Sequence, residues 1–451
     1  MVIYNITMNK NYDVIVVGGG TAGCAVSYMS AKLGLKVLLI ERGIHLGGTI
    51  TSGLVVPAMM GGHHQINTEF FDILISELKK VGGQVTYMGN QGWFNPELLK
   101  IVLDKMMNDV GVEVRFNAEV KDVKTCENNV VSVEINKEIL SVYNEEVDTD
   151  NVNKNYKPLS VYIDAKYFVD ATGNCDFANQ INCTFLKMES DYQPMSLRFI
   201  MGGIDLKTFS DWILNLDSDR NVTTVQNIDG QIHLSTAYTW DSDKHWALAP
   251  LFDKAVADGV LKDTDRNYFQ IFTVAGMPDS VAFNCPRIAE TLNPNLVKDT
   301  TKALMQARES IFRLAKFCKK YLKGFENAYI SNIADMLGIR VSNRIKGKYL
   351  YTIEDLRSGK KFQHPVLISN YPVDVHSKDK NSSTLTMTGE YQLPIESLIS
   401  YDYDNLLVVG RGISADYMAQ GALRVQTSCF SMGEAAARYM AAKITNNDAE
   451  S

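Results

Sequence analysis

Three glycines and one acid form the strongest chemical pattern in the chain: Gly18, Gly20 and Gly23, followed by Glu41. The spacing is G-x-G-x-x-G. The first glycine permits a tight turn, the second lets backbone approach a pyrophosphate, and the third lets a helix lie close to a strand. A helix beginning at Ala22 would aim its unpaired first-turn amides and positive dipole end at the phosphates. Glu41 stands directly after the next apolar run, where a carboxylate can accept hydrogen bonds from both hydroxyls of an adenosine ribose. Further candidates are scattered. Gly47, Gly48 and Thr49 sit in a small-residue loop, His45–Gly53, that can offer backbone and hydroxyl groups. His63 and His64 are adjacent, so they point apart and do not suit one metal; one of them, His64, is a candidate proton donor. Arg340 and Arg344 would share one face of a strand over Ile339–Arg344, a pairing that suits a carboxylate or phosphate but equally a surface ion pair. Asp374 and His376 would also share a face, as a proton relay or as a structural hydrogen bond.

These groups need elements to hold them. Asp13–Val17 is a β-branched apolar run and reads as a buried strand; Ala22–Leu33 reads as a helix ended by Gly34, and Lys36–Ile40 as a second strand. Amphipathic spacing predicts helices over Thr68–Lys80 and from Asn95, as cap, to Asp109. Lys121–Thr125, Val130–Ile135 and Val161–Ala165 alternate as a small antiparallel sheet, with an exposed polar hairpin tip between the last two. A separate strand from Lys166 ends in Ala171-Thr-Gly173. Met195–Met201, Gln231–Thr236 and Tyr268–Val274 read as strands, and Leu206–Leu216 and Leu248–Gly259 as helices. A long helix over Asp299–Lys323 would be capped by Asp299. Asn405–Gly410 is a further core strand. A closing helix, Thr427–Lys443, carries Ser431, Gly433 and Ala435–Ala437 for close packing, and its N-terminus is a second positive dipole end.

A length of 451 residues favours two domains. Hydrophobic residues at 45% and charged residues at 22% belong to a soluble globular protein, and a net charge of −7 gives nucleic acid no basic face. No apolar run is long enough to span a membrane. The first residues lack the basic start and apolar core of a secretion signal. Seven dispersed cysteines without C-x-x-C argue against a disulfide framework or a metal cluster, so no metal is expected and a reducing cytoplasm fits.

Val-Val-Gly-Gly-Gly-Thr-Ala-Gly, Leu-Leu-Ile-Glu-Arg, Leu-Gly-Gly-Thr, Asp170-Ala-Thr-Gly-Asn-Cys-Asp176, Asn405–Arg411 and Gly421–Val425 occur in that order. Together they resemble the FAD-dependent oxidoreductases of the glutathione-reductase-like flavoprotein superfamily. The resemblance implies an α/β fold: a Rossmann-like FAD-binding domain from 11–190 and 392–445, with a mixed, largely antiparallel substrate domain, 191–391, between. It implies FAD contacts at Gly18, Gly20, Thr21, Ala22, Gly23, Glu41, Arg42, Gly47, Gly48, Thr49, Val120, Thr172, Gly173, Gly410, Arg411, Leu423, Arg424 and Thr427. Two departures stand out. Asn174 and Cys175 replace the usual acid and glycine, and Val341 replaces an acid. The expected chemistry is hydride transfer between a small-molecule substrate, an anion being one option, and flavin N5, by a dehydrogenase or reductase. Arg340, Arg344, His376 and His64 are the candidates for substrate binding or proton transfer. A single dinucleotide fingerprint speaks against a second nicotinamide domain, so the electron donor or acceptor stays open, as does the oligomeric state. A tRNA-acting flavoprotein and a non-catalytic flavin-binding redox sensor are the alternatives.

Overall fold

The computed structural model describes residues 11–59, 66–135, 162–187, 192–217, 219, 222–239, 246–288, 290–376, 382–385 and 389–450. His64 and the polar hairpin tip lie outside them.

The strand Tyr12–Val17 is central because its residues are apolar on both faces. It pairs in parallel with Val37–Ile40 on one side and Tyr162–Asp170 on the other. Its side chains divide between two cores with the period of two that a pleated strand imposes. Val14 and Val16 join Val37 and Leu39 on one face, under the first and last helices. Ile15 and Val17 join Leu38, Ile40, Val133 and Phe177 on the other. Seven strands make this sheet, with Glu113–Arg115 at one edge and Val120–Cys126 at the other.

Two strands expected from the sequence are one. Tyr162–Asp170 runs for nine residues. Its first half pairs antiparallel with Asn129–Ile135, and its second half lies parallel between Tyr12–Val17 and Leu406–Val408. The sequence read as two because its first half is half-exposed and only its second half is buried.

The first helix, Thr21–Lys32, packs along the last, Gln426–Glu450. Gly433 permits this: a Cβ there would stand 2.5 Å from the Ala22 carbonyl oxygen and 2.7 Å from the Ala25 Cβ. The Pro96–Asp109 helix is capped as expected, the Asn95 side chain accepting from the amides of Glu97 and Leu98.

From Phe199 the chain builds a six-stranded antiparallel sheet, in the order Thr223–Ile228, Gln231–Thr239, Tyr268–Val274, Met277–Phe283, Phe199–Gly202, Tyr329–Ile333. Phe199 and Phe283 stack at 4.1 Å, and Phe252 and Phe317 tilt together at 4.2 Å. The helix covering this layer is Val297–Tyr321, and its cap position is Leu296, not Asp299. Asp299 sits one turn in and accepts from the Asn293 amide, so it ties down the preceding loop instead. Ile339–Arg344 is not a strand. Only single bridges flank it, Gly338 to Ser196 and Ile345 to Phe185, so its alternating residues have no ladder to fix a face. Met195–Met201 is likewise regular only from Phe199. Among the described residues, no helix is long and apolar enough to cross a membrane.

Candidate active site

One elongated cavity of about 760 Å³ runs from the glycine turn, past the carboxyl ends of the parallel strands, to the six-stranded sheet. Carboxyl strand ends are where open α/β sheets take ligands. The three fingerprint glycines do different work along it. Gly18 has φ +102°, and a Cβ would meet Ala171 backbone at 2.7 Å. At Gly23 a Cβ would stand 1.9 Å from the Gly18 carbonyl oxygen. Gly20 is different: its backbone is extended and the nearest atom to an added Cβ is 3.9 Å away. Gly18 and Gly23 are therefore demanded by the protein's own packing, whereas Gly20 keeps an open cradle clear for something else.

Glu41 closes this end. Its two carboxylate oxygens accept from the Gly19 and Gly43 amides, each at 2.6 Å, which fixes the carboxylate at the cavity wall. Arg42 lines the wall beside it and pairs with Asp176 at 3.6 Å. Thr21, Ala22, Gly48, Thr49, Val120, Thr172 and Gly173 line the cavity; the Val120 carbonyl accepts from Gln180. Gly47 and Gly23 stand behind the lining. Gly47 has φ +98° and donates its amide to Gly19, holding the second glycine loop beneath the first.

Beyond the glycine turn, Asp170 organises the wall. It is fully buried and accepts from the Thr172 amide and hydroxyl and from the Ala178 amide, at 2.7–2.9 Å. Burial raises its pKa while those bonds oppose the shift. Sequence reasoning quoted Asp170 in a motif and gave it no role. The first departure from the family pattern, Asn174 and Cys175, also finds its use here. Asn174 accepts from Arg411 at 2.7 Å. Cys175 takes the left-handed backbone that glycine usually supplies, φ +59°, at a cost of about 1 kcal/mol. Its thiol fills the contact with Gly412 and the Asn343 and Gly412 carbonyls. Gly410 and Arg411 line the cavity, and the Arg411 Nε is buried with no hydrogen-bond partner among the described residues.

The far end is basic. Arg198, Arg287, Arg340 and Arg424 line it together with Tyr268, Asp374 and His376. The expected Asp374–His376 pair is real: they lie on the strand Val373–His376, with Nε2 3.1 Å from Oδ2. Burial, then the charges of Arg340 and Arg287, pushes His376 well below its usual range, so its ring is neutral at pH 7. Burial alone would raise Asp374, but the His376 hydrogen bond and the Arg424 and Arg340 charges hold it below the usual carboxylate range. Arg424 donates to the Asp374 carbonyl at 2.8 Å and approaches its carboxylate at 3.4 Å. Arg340 and Arg344 do not act as a pair. Arg340 faces the cavity and donates to the Pro194 carbonyl; Arg344 is buried outside the lining and donates to the Ala415 carbonyl at 2.8 Å. Leu423 is wholly buried and Thr427 reaches the Met59 carbonyl at 3.4 Å; neither lines the cavity, although Val425, Gln426 and Cys429 at the start of the last helix do. Arg198, Arg287 and Tyr268 were missed from the sequence. They sit at strand ends in segments without a motif, and only tertiary folding brings them together.

The family profile for FAD dependent oxidoreductase matches residues 13–449. The chain belongs to that family. The FAD dependent oxidoreductase also resembles a thiamine thiazole synthase of Methanococcus aeolicus, at 29% identity over 41% of this chain and 62% of that one. A vinyl phenol reductase of Lactiplantibacillus plantarum is 37% identical over 16% of this chain and 15% of its own. The matched regions thus span less than two thirds of these relatives. Among solved structures, p-nitrophenol 4-monooxygenase from Pseudomonas putida aligns over 97% of this chain and 81% of its own, at 11% identity and TM-score 0.49.

The residues present fit FAD. The open cradle at Gly20, the anchored Glu41 carboxylate and the Arg411 side chain lie along the same cavity. Together they would receive a dinucleotide's phosphates, ribose and isoalloxazine edge.

Proposed function

We propose that this FAD-dependent oxidoreductase transfers hydride between a carbon of a small-molecule substrate and flavin N5. The observation that carries the reading is the continuity of the cavity from the glycine turn to a polar, basic chamber under the six-stranded sheet. When bound, FAD supplies the two-electron chemistry, and the protein supplies orientation and charge. In this reading residues 11–190 and 392–445 form the cofactor domain and 191–391 the substrate domain.

Gly20, Thr21 and Ala22 would hold the pyrophosphate and Glu41 the ribose. Val120 would meet the adenine. Gly48, Thr49, Thr172, Gly173, Gly410 and Arg411 would follow the chain of the cofactor toward its ring. Gly18, Gly23, Gly47, Leu423 and Thr427 would act from behind, by shaping the loops. The amino end of the last helix, with Arg424 beside it, would stabilise negative charge on the ring. Arg340 would bind substrate. His376, neutral and oriented by Asp374, would accept or return a proton. Arg344 has no place in this mechanism.

The test is anaerobic bleaching of the purified, flavin-loaded protein by candidate donors. A primary isotope effect with a donor deuterated at the reacting carbon is expected, and His376→Gln should slow bleaching at least tenfold with FAD retained. Bleaching that is insensitive to the deuterium would overturn hydride transfer.

A further inference from the structure

The six-stranded sheet turns a row of polar side chains toward the cavity. Phe283 stands between Ile271 on one neighbouring strand and Phe199 on the other. One residue further in the same register, Asn284 lies between Gln270 and Arg198, and the Asn284 backbone amide donates to the Gln270 carbonyl at 2.9 Å. Residues directly opposite one another in antiparallel strands point to the same face. Gln270, Asn284 and Arg198 all line the cavity, so the face this row presents is the cavity wall.

Two members of the row are closed on each other. Asn284 Nδ2 donates to Gln270 Oε1 at 2.6 Å and to the Tyr268 hydroxyl at 3.1 Å. That hydroxyl donates to the same Gln270 oxygen at 2.6 Å. None of these bonds reaches Arg198, and Asn284 Oδ1 is enclosed without a bond to it. The other arginines of the chamber each have a hold. Arg287 lies over the Tyr268 ring at 3.5 Å, Arg340 donates to the Pro194 carbonyl, and Arg424 donates to Gln193 and Asp374. The Asp374 carboxylate is taken up by Arg424 and His376. Arg198 differs: among the described residues its guanidinium has no hydrogen bond and no ion pair. Burial lowers its pKa to about 10, which leaves it charged at pH 7.

A charged fork in the wall of a cavity is costly to cover unless the covering group meets it. Arg198 belongs to the far end, so the phosphates read at the glycine turn are not its partner. A guanidinium presents parallel N–H donors in one plane, and a carboxylate meets them with both oxygens. A free phosphate would bring further oxygens to a place where one fork supplies the donors. A neutral substrate would cover the guanidinium and leave its charge unmet.

We infer that the substrate is a carboxylic acid whose carboxylate is taken by Arg198 through both arms of its fork, on the sheet face that the Gln270, Asn284 and Tyr268 triangle holds in place. This rests on the functional reading above, and it names the substrate class which that reading leaves open. It also gives Arg198 a specificity role that no motif in the sequence announces.

The experiment titrates the flavin-loaded protein at pH 7 with propionate, benzoate and phenylacetate, with the amide of each, and with inorganic phosphate. Calorimetry and the flavin difference spectrum are read together. At least one acid is expected to bind tenfold or more tighter than its own amide. In Arg198→Gln that preference should fall below threefold, with flavin content and thermal midpoint showing the variant folded. Arg198→Lys keeps the charge and loses the fork, so it should bind the acid at least threefold more weakly than wild type. An acid preference under tenfold in the wild type, tightest binding by phosphate, a preference of threefold or more surviving in Arg198→Gln, or a lysine variant within threefold of wild type would each overturn the inference. The acid-against-amide comparison in the wild type decides the matter even if neither variant folds. Failure of the wild type to hold flavin would instead sink the functional reading, and calorimetry on the flavin-free protein would still compare acid with amide at Arg198.

Discussion

At the scale of single residues, the fingerprint glycines separate folding from function. Gly20→Ala adds a Cβ into open space on a backbone that alanine adopts freely. Its stability without cofactor should stay within about 0.5 kcal/mol of wild type, while FAD affinity falls at least tenfold because the cradle is filled. Gly23→Ala should behave in the opposite way. Its Cβ collides with the Gly18 carbonyl, so it should lose about 3 kcal/mol or fail to fold before binding can be asked. Urea denaturation beside flavin titration distinguishes the two. Asp374 gives the pH prediction. Its pKa is depressed in the fold, so its contribution is present above the ordinary carboxylate pKa of about 4 and is lost as pH falls below that. Asp374→Asn should thus be less stable than wild type at pH 7, by an amount on the order of 2 kcal/mol, with the gap narrowing as the solution is acidified toward pH of about 2. A gap that widened in acid would contradict the depressed carboxylate.

At the scale of elements, the contact between the first and last helices sets the geometry of the glycine turn. Gly433 is the narrowest point, and what it faces is the Ala22 backbone, which cannot swing aside as a side chain would. Gly433→Ala should cost about 1–3 kcal/mol and also weaken FAD binding, although the residue lines no part of the cavity. Unchanged FAD affinity in a destabilised variant would show that the turn is independent of the helix pair. The small-residue composition of the closing helix made this contact legible in advance. The long strand Tyr162–Asp170 was less legible. Its two halves have different neighbours and different burial, so periodicity changes midway and a continuous backbone looks like two elements.

At the scale of the whole molecule, the cavity touches both large sheets, and the cofactor should couple them. A ligand that binds only the folded state stabilises by mass action, about 2.7 kcal/mol at one hundred times its dissociation constant. Scanning calorimetry of the stripped protein should therefore show a lower midpoint than the FAD-loaded form, with both sheets shifting together. A midpoint indifferent to FAD would place the cofactor outside the fold. What the sequence determined alone was local in kind. The glycine spacing, the terminal Glu41, the Asn95 cap and the apolar runs of the parallel strands each express their chemistry within a few residues, so their pattern survives in one dimension. Only tertiary structure could decide that Arg344 stays behind while Arg340 turns inward, because Ile339–Arg344 has no ladder to enforce alternation. It alone brought Arg198, Arg287 and Arg424 to the same chamber, since groups whose charges interact through space carry no mark of that meeting along the chain.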